Sequence, residues 1–306
     1  MTDTVDRSTD KRNFLSALVV AMRPRQWAKN VLVFAAPLAA GQLFVPDILL
    51  PSIGAFVAFC LISSATYLIN DVRDIEADRA HPRKSARPIP AGDLPVPAAV
   101  TAAVVLAASS LVLSAFISLA LLGVVVAYAV FTLTYSLGLK HEPVIELALL
   151  ALGFLLRAIA GGAASGLPIS QWFLIVAGFG SLFMAAGKRY SELDRFVREG
   201  NNDDDSPKRK SLDGYTLGYL RFVWGVAAAV TITSYCLWAF DVAETPSSFP
   251  WAEWSVLPFV LAILRYGVSV DRGNAEAPED TALRDRVLLL LGLAWLILFG
   301  LGALGV

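Results

Sequence analysis

Cysteine is almost absent: the 306 residues hold only Cys60 and Cys236, each alone inside an apolar stretch. That scarcity argues against a disulfide framework and a cysteine-based metal site, and leaves both as small core residues. Net charge is nearly absent too, at -1, so neither a nucleic-acid partner nor an acidic tail is expected. A cleavable signal peptide is not expected either. The first dozen residues are polar, and the apolar stretch from Phe14 to Met22 is short and runs into Arg23-Pro24-Arg25. The start reads as a disordered cytoplasmic tail over 1–12, followed by an interfacial helix.

Apolar sequence is abundant, at 56% hydrophobic residues, in runs too long for the core helices of a soluble domain. A spanning helix takes about 20 mostly apolar residues. Nine such stretches occur, near 28–45, 48–70, 96–114, 119–138, 144–164, 170–188, 216–240, 253–269 and 286–304. The connections near 46, 116, 167 and 247 are short and carry no Lys or Arg, whereas those near 80, 140, 200 and 278 are charged. The positive-inside rule then makes the charged side cytoplasmic, with the N-terminus inside and, after nine crossings, the C-terminus outside. The expectation is an all-α, polytopic membrane protein, one transmembrane domain over 13–306 with cytoplasmic loops near 71–95 and 189–215. The tip Asn201-Asn202-Asp203-Asp204-Asp205 reads as solvated and mobile.

Chemistry concentrates at the end of the second stretch. On a continued helix Asp71, Asp74 and Asp78 fall within about 60° of one another, while Glu76 points away. Three like charges beside a membrane call for a cation, and an oxygen-only set without His or Cys favours Mg²⁺. The bland alternative is a solvated helix end neutralised by Arg73 and Arg79. Cations follow at once in His81-Pro82-Arg83-Lys84-Ser85-Ala86-Arg87-Pro88, and a metal beside fixed cations suits a diphosphate leaving group. His81 reads as structural.

Elsewhere the candidates carry two readings each. Lys188, Glu192 and Arg195 share a helical face, so Glu192 either binds a second metal or pairs with Lys188. Asp194 projects away from Glu192. Tyr190 either donates to a phosphate or anchors the interface. Arg157, in the middle of a span, faces a structural partner or an anionic substrate group. The small residues Gly161, Gly162, Ala163, Ala164, Ser165 and Gly166 behind it read as close helix packing, with a lateral slot for a lipid chain as the alternative. Lys29 reaches a phosphate or simply anchors the topology.

The pattern Asn70-Asp71-x-x-Asp74-x-x-x-Asp78 with the following His-Pro-x-Lys-x-x-Arg-Pro-Ile resembles the first signature of the UbiA-type intramembrane prenyltransferase superfamily. That resemblance implies nine helices around a central, laterally open cavity in the plasma membrane, with the active site on the cytoplasmic face. The segments RPRQWAKN, NDVRDIEADRAHPRKSARPI, GLKH, LLRAIAGG, GSLFMAAGKRYSEL and YLRFVWG resemble the branch that transfers phosphoribosyl to polyprenyl phosphate for arabinan precursors of the cell wall. It implies phosphoribosyl pyrophosphate as donor and decaprenyl or another polyprenyl phosphate as acceptor, in contact with membrane lipid. Association with a second copy stays open.

By the same resemblance Asp71, Asp74 and Asp78 hold Mg²⁺ on the donor diphosphate, supported by Asn70. Lys84, Arg87, Lys140, Lys188 and Arg189 then join the candidates for its phosphates. The superfamily's second Asp-x-x-x-Asp motif is missing, and Lys188-Arg189-Tyr190-Ser191-Glu192 stands in its place. Extra cations there suit the donor's 5-phosphate. An ionised phosphate acceptor needs no protein nucleophile, in keeping with the absence of a Ser/His/Asp or Cys/His arrangement. The rival readings are an aromatic prenyltransferase using the same first motif and an ion-coupled transporter.

Overall fold

The computed structural model describes residues 12–81, 84–198, 212, 214–242, 249–275, 281 and 283–304. The expected tail, Pro82-Arg83, the Asn201 to Asp205 tip and the side chain of Lys140 lie outside the described parts.

Among the described residues every regular element is helical. They are α1 (Phe14–Ala21), a 3₁₀ segment (Pro24–Phe34), α2 (Ala35–Ala39), α3 (Pro46–Arg73), α4 (Ile75–Ala80), α5 (Pro88–Ala91), α6 (Val96–Ile117), α7 (Leu119–Leu137), α8 (Ile145–Ser165), α9 (Gln171–Arg198), α10 (Leu217–Val242), α11 (Trp251–Asp271) and α12 (Arg286–Leu304). Eight of them are long and apolar enough to cross a membrane: α3 and α6 to α12. Helices are the natural answer in hydrocarbon, where each backbone N–H and C=O must be satisfied within the segment. Hydroxyl groups follow the same rule. Ser52, Ser63, Ser64, Ser114 and Thr231 each donate to the carbonyl four residues earlier, at 2.6 to 2.8 Å.

The first expected span departs from this pattern. Residues 28–45 form no single α-helix: the chain turns at Arg23, with φ +56°, into the 3₁₀ segment and then the five residues of α2. Pro24 and Pro37 each remove a backbone donor, and the path is held close to α8. A side chain at Gly161 would put its Cβ 2.0 Å from the Val33 carbonyl oxygen. At about 2.0 Å per residue in 3₁₀ and about 1.5 Å in α, the two pieces together reach roughly 30 Å, close to a hydrocarbon thickness.

The N-terminal helix packs against the bundle along one side. Ala17 and Ala21 are buried against α3, α5 and α6, while Phe14, Leu15, Val19 and Val20 are exposed. Helices α3, α6, α7 and α8 share one apolar core with Val33; α9, α10 and α11 build another around Phe183, Leu220 and Tyr266, and α8 against α9 joins the halves. The chain direction puts the C-terminal ends of α3, α7, α9 and α11 and the N-terminal ends of α6, α8, α10 and α12 at one face, where the charges gather.

The small residues after Arg157 serve close packing: Gly161 receives the 3₁₀ segment, and Gly162 sits against Ala36 and Ile169. Gly161→Ala is expected to cost about 1–3 kcal/mol, because the facing atom is backbone and cannot swing away. Gly225→Ala in α10, with open space around it, should be neutral or stabilising by up to about 1 kcal/mol. Thermal unfolding of the two variants in detergent measures the difference; equal midpoints would contradict the packing role.

Candidate active site

The end of α3 sets the geometry of the acidic motif. The helix stops at Arg73, Asp74 turns out of it at φ -91°, ψ 13°, and α4 restarts at Ile75. The single helical face expected for Asp71, Asp74 and Asp78 is therefore not formed. A continued helix would stack three like charges, whereas the break aims two of them at one cation. Asp71 and Asp78 are each 1% exposed. Arg87 Nη1 lies 3.1 Å from Asp71 Oδ1 and 2.5 Å from Asp78 Oδ2. Lys84 Nζ adds a contact of 3.3 Å to Asp78 Oδ1, and Arg23 Nη2 donates to Asp71 Oδ1 at 2.5 Å. Arg79 pairs on the surface with Glu76 at 3.0 Å, so the cations that neutralise the buried acids come from the following loop and from the N-terminal segment. Half-buried Asp74 occupies the hinge. Asn70 supplies its carbonyl to the Asp74 N–H at 3.0 Å.

Among the described residues no group of three or more His, Cys, Asp or Glu is gathered closely enough to hold a metal. The donor chemistry at Asp71 and Asp78 nonetheless fits Mg²⁺: both are buried, both offer only oxygen, and one cationic group already bridges them. Two protein carboxylates completed by water and phosphate oxygens are typical ligation for that ion.

A cavity of about 220 Å³ lies beside this cluster, lined by Lys29, Arg157 and Lys188 and by no carboxylate. Tyr67 lines it too, and Arg23, bonded to Asp71, sits 4.9 Å over the Tyr67 ring; this shared wall connects cavity and carboxylates. Arg157 is 6% exposed, and its hydrogen-bond partners among the described residues are neutral. Its Nε donates to Asn30 Oδ1 at 2.7 Å, Nη1 to the Gly153 carbonyl at 2.6 Å and Nη2 to the Tyr128 hydroxyl at 2.8 Å. The hydrogen bonds are satisfied while the charge is left unbalanced. Lys188 has no ion-pair partner among the described residues.

Phe154 and Met184 form a wall common to this polar cavity and to an apolar one of about 350 Å³. Leu38, Trp238, Phe259, Trp295 and Phe299 line the apolar cavity. A charged compartment and a greasy one are thus neighbours.

Arg189, Tyr190 and Glu192 are not brought to the cavity. Arg189 is buried and paired with both Glu146 and Glu192, its Nε lying 2.9 Å from Glu146 Oε1. Glu192 therefore pairs with Arg189, one helical turn away, instead of Lys188 or a metal-ligand cluster. Tyr190 points toward α10, where its hydroxyl accepts from Arg221 Nη2 at 2.7 Å. Asp194 lines a different cavity, away from Glu192. Tyr135 bridges the two regions: it lines the polar cavity and donates weakly to Glu146 Oε1 at 3.4 Å. Nearby, the Tyr215 hydroxyl accepts the Val144 N–H at 2.9 Å, and burial pushes that phenol up to about 12, which keeps it protonated.

The residues that sequence reasoning missed are Glu146, Tyr135, Tyr128, Asn30 and the ion-pairing role of Arg23. Glu146 carried a usable signal, a lone acid at the edge of an apolar run. The others give none before their partners are known.

The profile of the UbiA prenyltransferase family matches residues 30–284. The decaprenyl-phosphate phosphoribosyltransferase of Corynebacterium glutamicum is 50% identical over 289 residues, covering 93% of this chain and 86% of that protein. The protein of the same name from Mycobacterium tuberculosis is 50% identical over 292 residues, covering 94% of each. Among solved structures, a UbiA homologue from Archaeoglobus fulgidus bound to GPP and Mg²⁺ superposes with a TM-score of 0.66 at 18% identity, over 95% of this chain and 100% of that one. Helical architecture, motif and near full-length similarity agree, and the chain belongs to the UbiA prenyltransferase family.

Proposed function

We propose that this protein transfers the 5-phosphoribosyl group of phosphoribosyl pyrophosphate to decaprenyl phosphate, releasing pyrophosphate, in the supply of arabinan precursors for the cell wall. The observation that carries it is the carboxylate-free cavity with three cations, Lys29, Arg157 and Lys188, beside the buried Asp71 and Asp78. A donor with phosphate at both ends of its ribose needs two kinds of anion site. The half identity to enzymes of that name over almost the whole chain supports the same reading.

In this proposal Asp71 and Asp78 would hold Mg²⁺, Asp74 would join them from the hinge once the ion is bound, and Asn70 would support them. Bound Mg²⁺ supplies charge neutralisation on the leaving diphosphate. Lys84 and Arg87 swing from the carboxylates to the diphosphate oxygens, while Lys29, Arg157 and Lys188 take the remaining phosphate groups. An oxygen of the lipid phosphate attacks ribose C1, the C1–O bond to pyrophosphate breaks, and the electron pair leaves with the pyrophosphate. No proton has to be removed from the acceptor. The isoprenoid chain lies along the apolar cavity beyond Phe154 and Met184. Arg189 acts at one remove, through the Glu146 and Tyr135 contacts that shape the wall.

The same proposal has the reaction occur at the cytoplasmic face of the plasma membrane, in a single transmembrane domain over 13–306 in which the 3₁₀ segment and α2 would make a ninth crossing. The density of Lys and Arg at this end supports that orientation.

Three outcomes are expected. Purified protein given labelled phosphoribosyl pyrophosphate, decaprenyl phosphate and Mg²⁺ should form a phosphoribosyl lipid, and chelation should stop it. A preparation that instead couples a prenyl diphosphate to an aromatic acid would overturn the assignment. Asp74→Asn or Asp78→Asn should lower turnover about 10²-fold or more, while Asp203→Asn should be close to silent; equal losses at all three would refute the division of roles. Lys188→Gln should raise the donor KM with little change in thermal stability. Arg189→Gln should instead destabilise by about 3–5 kcal/mol, because it strands buried Glu146 without its cation. Matching unfolding midpoints for these two variants would contradict that contrast.

A further inference from the structure

A second basic cavity, of about 1010 Å³, opens at the ends of α9 and α11 and the start of α12. Six arginines line it, Arg195, Arg198, Arg265, Arg272, Arg284 and Arg286. It contains none of the residues of the candidate active site. Two carboxylates face it, Asp194 and Asp285, and both are engaged: Arg198 Nε lies 2.8 Å from Asp194 Oδ2, and Arg265 Nε lies 2.7 Å from Asp285 Oδ2. The Arg265 contact keeps the Asp285 carboxyl below its ordinary range, and the same carboxylate accepts the N–H groups of Val287 and Leu288 at 3.0 and 3.2 Å. Six guanidiniums against two carboxylates leave a net charge of +4 among the described lining residues.

Arg272, Arg284 and Arg286 have no ion-pair partner among the described residues. Like charges converging from separate helices repel, and a multiply charged anion between them removes that cost. Guanidinium forks match phosphate oxygens better than any other side chain. The surroundings say how that phosphate is carried. Immediately beyond the arginines, α12 presents Val287, Leu290 and Leu293, between 49% and 67% exposed, and only 6% of its most apolar stretch is buried in the protein. An outer helix with basic residues at its head and an open aliphatic flank offers one surface to a headgroup and another to acyl chains.

We propose that this cavity binds the phosphate-bearing headgroup of an anionic phospholipid from the surrounding leaflet, with its chains along α12. The three unpaired arginines supply the charge, and Ser269 and Asn274 add neutral polar groups to the wall. The site tethers the ends of α9, α11 and α12 to the membrane surface, across the bundle from the first acidic motif.

The test uses the full-length protein in nanodiscs of phosphatidylcholine with increasing cardiolipin, reading retained lipid by native mass spectrometry. Wild type should retain cardiolipin in preference to phosphatidylcholine; equal retention would overturn the proposal whatever the variants do. Arg272→Gln/Arg284→Gln/Arg286→Gln together should weaken cardiolipin binding on the order of 10²-fold, whereas Arg25→Gln/Arg73→Gln/Arg79→Gln should not. An equal loss in both triple variants would reduce the effect to general surface charge and sink the site. A parallel titration with inorganic pyrophosphate separates the sources. If its binding falls in the first triple variant while cardiolipin retention is unchanged, the cavity serves a soluble phosphate and the headgroup assignment is wrong.

Discussion

Asp71 and Asp78 are carboxylates buried within reach of one guanidinium, and without Arg87 between them their charges would drive the end of α3 and the start of α4 apart. The break at Asp74 lies between the two acids that meet the same Arg87 nitrogen. It also draws in the residues that follow and precede. Lys84 and Arg87 hold the loop after α4 against the bundle, and Arg23 ties the N-terminal segment to Asp71. The 3₁₀ path from Pro24 to Phe34 begins at that Arg23 anchor and ends against Gly161. The charged face of the protein is thus organised by a few long-range ion pairs.

Charge is sorted as well as paired. The buried acids near the candidate site are already in contact with cations: Asp71 and Asp78 with Arg23, Lys84 and Arg87, and Glu146 with Arg189. Two of the cations that line the polar cavity differ: Arg157 hydrogen-bonds to neutral groups, and Lys188 has no ion-pair partner among the described residues. Burying a charge is costly unless it is paired, and the proposed role of Arg157 rests on that cost: an anion brought by the substrate would balance its guanidinium. The aromatic side chains around it, Tyr128 at 4.7 Å from the guanidinium carbon to the ring centroid, soften that cost without cancelling the charge. The neighbouring cavity is lined almost wholly by apolar side chains.

Two sequence expectations failed for a common reason. Glu192 and Lys188 stand four residues apart on one helix, yet Glu192 meets Arg189, because Arg189 is fixed from the other side by Glu146, which lies 43 positions earlier. Tyr190 follows Arg189 but faces α10, since the helix turns it toward Arg221 and Trp224. The neighbours that decide these orientations are distant in sequence. The single face expected for Asp71, Asp74 and Asp78 is likewise interrupted by the break at Asp74, and Arg87, nine residues beyond Asp78, bridges the two buried acids.

Apolar run length and charge placement between runs are local properties, and by themselves they determined a polytopic helical membrane protein with an acidic motif at the end of α3; the UbiA family entered through the resemblance of that motif and the segments around it. Hydrocarbon admits almost no other backbone solution, which is why that much follows from composition and period. Which cation answers which acid, where the chain tightens into the 3₁₀ segment before α2, and which basic residues are left facing a cavity were decided only by tertiary structure. Those outcomes rest on contacts such as Arg157 with Asn30, 127 positions apart, and electrostatic energy depends on distance in space, to which separation along the chain is no guide.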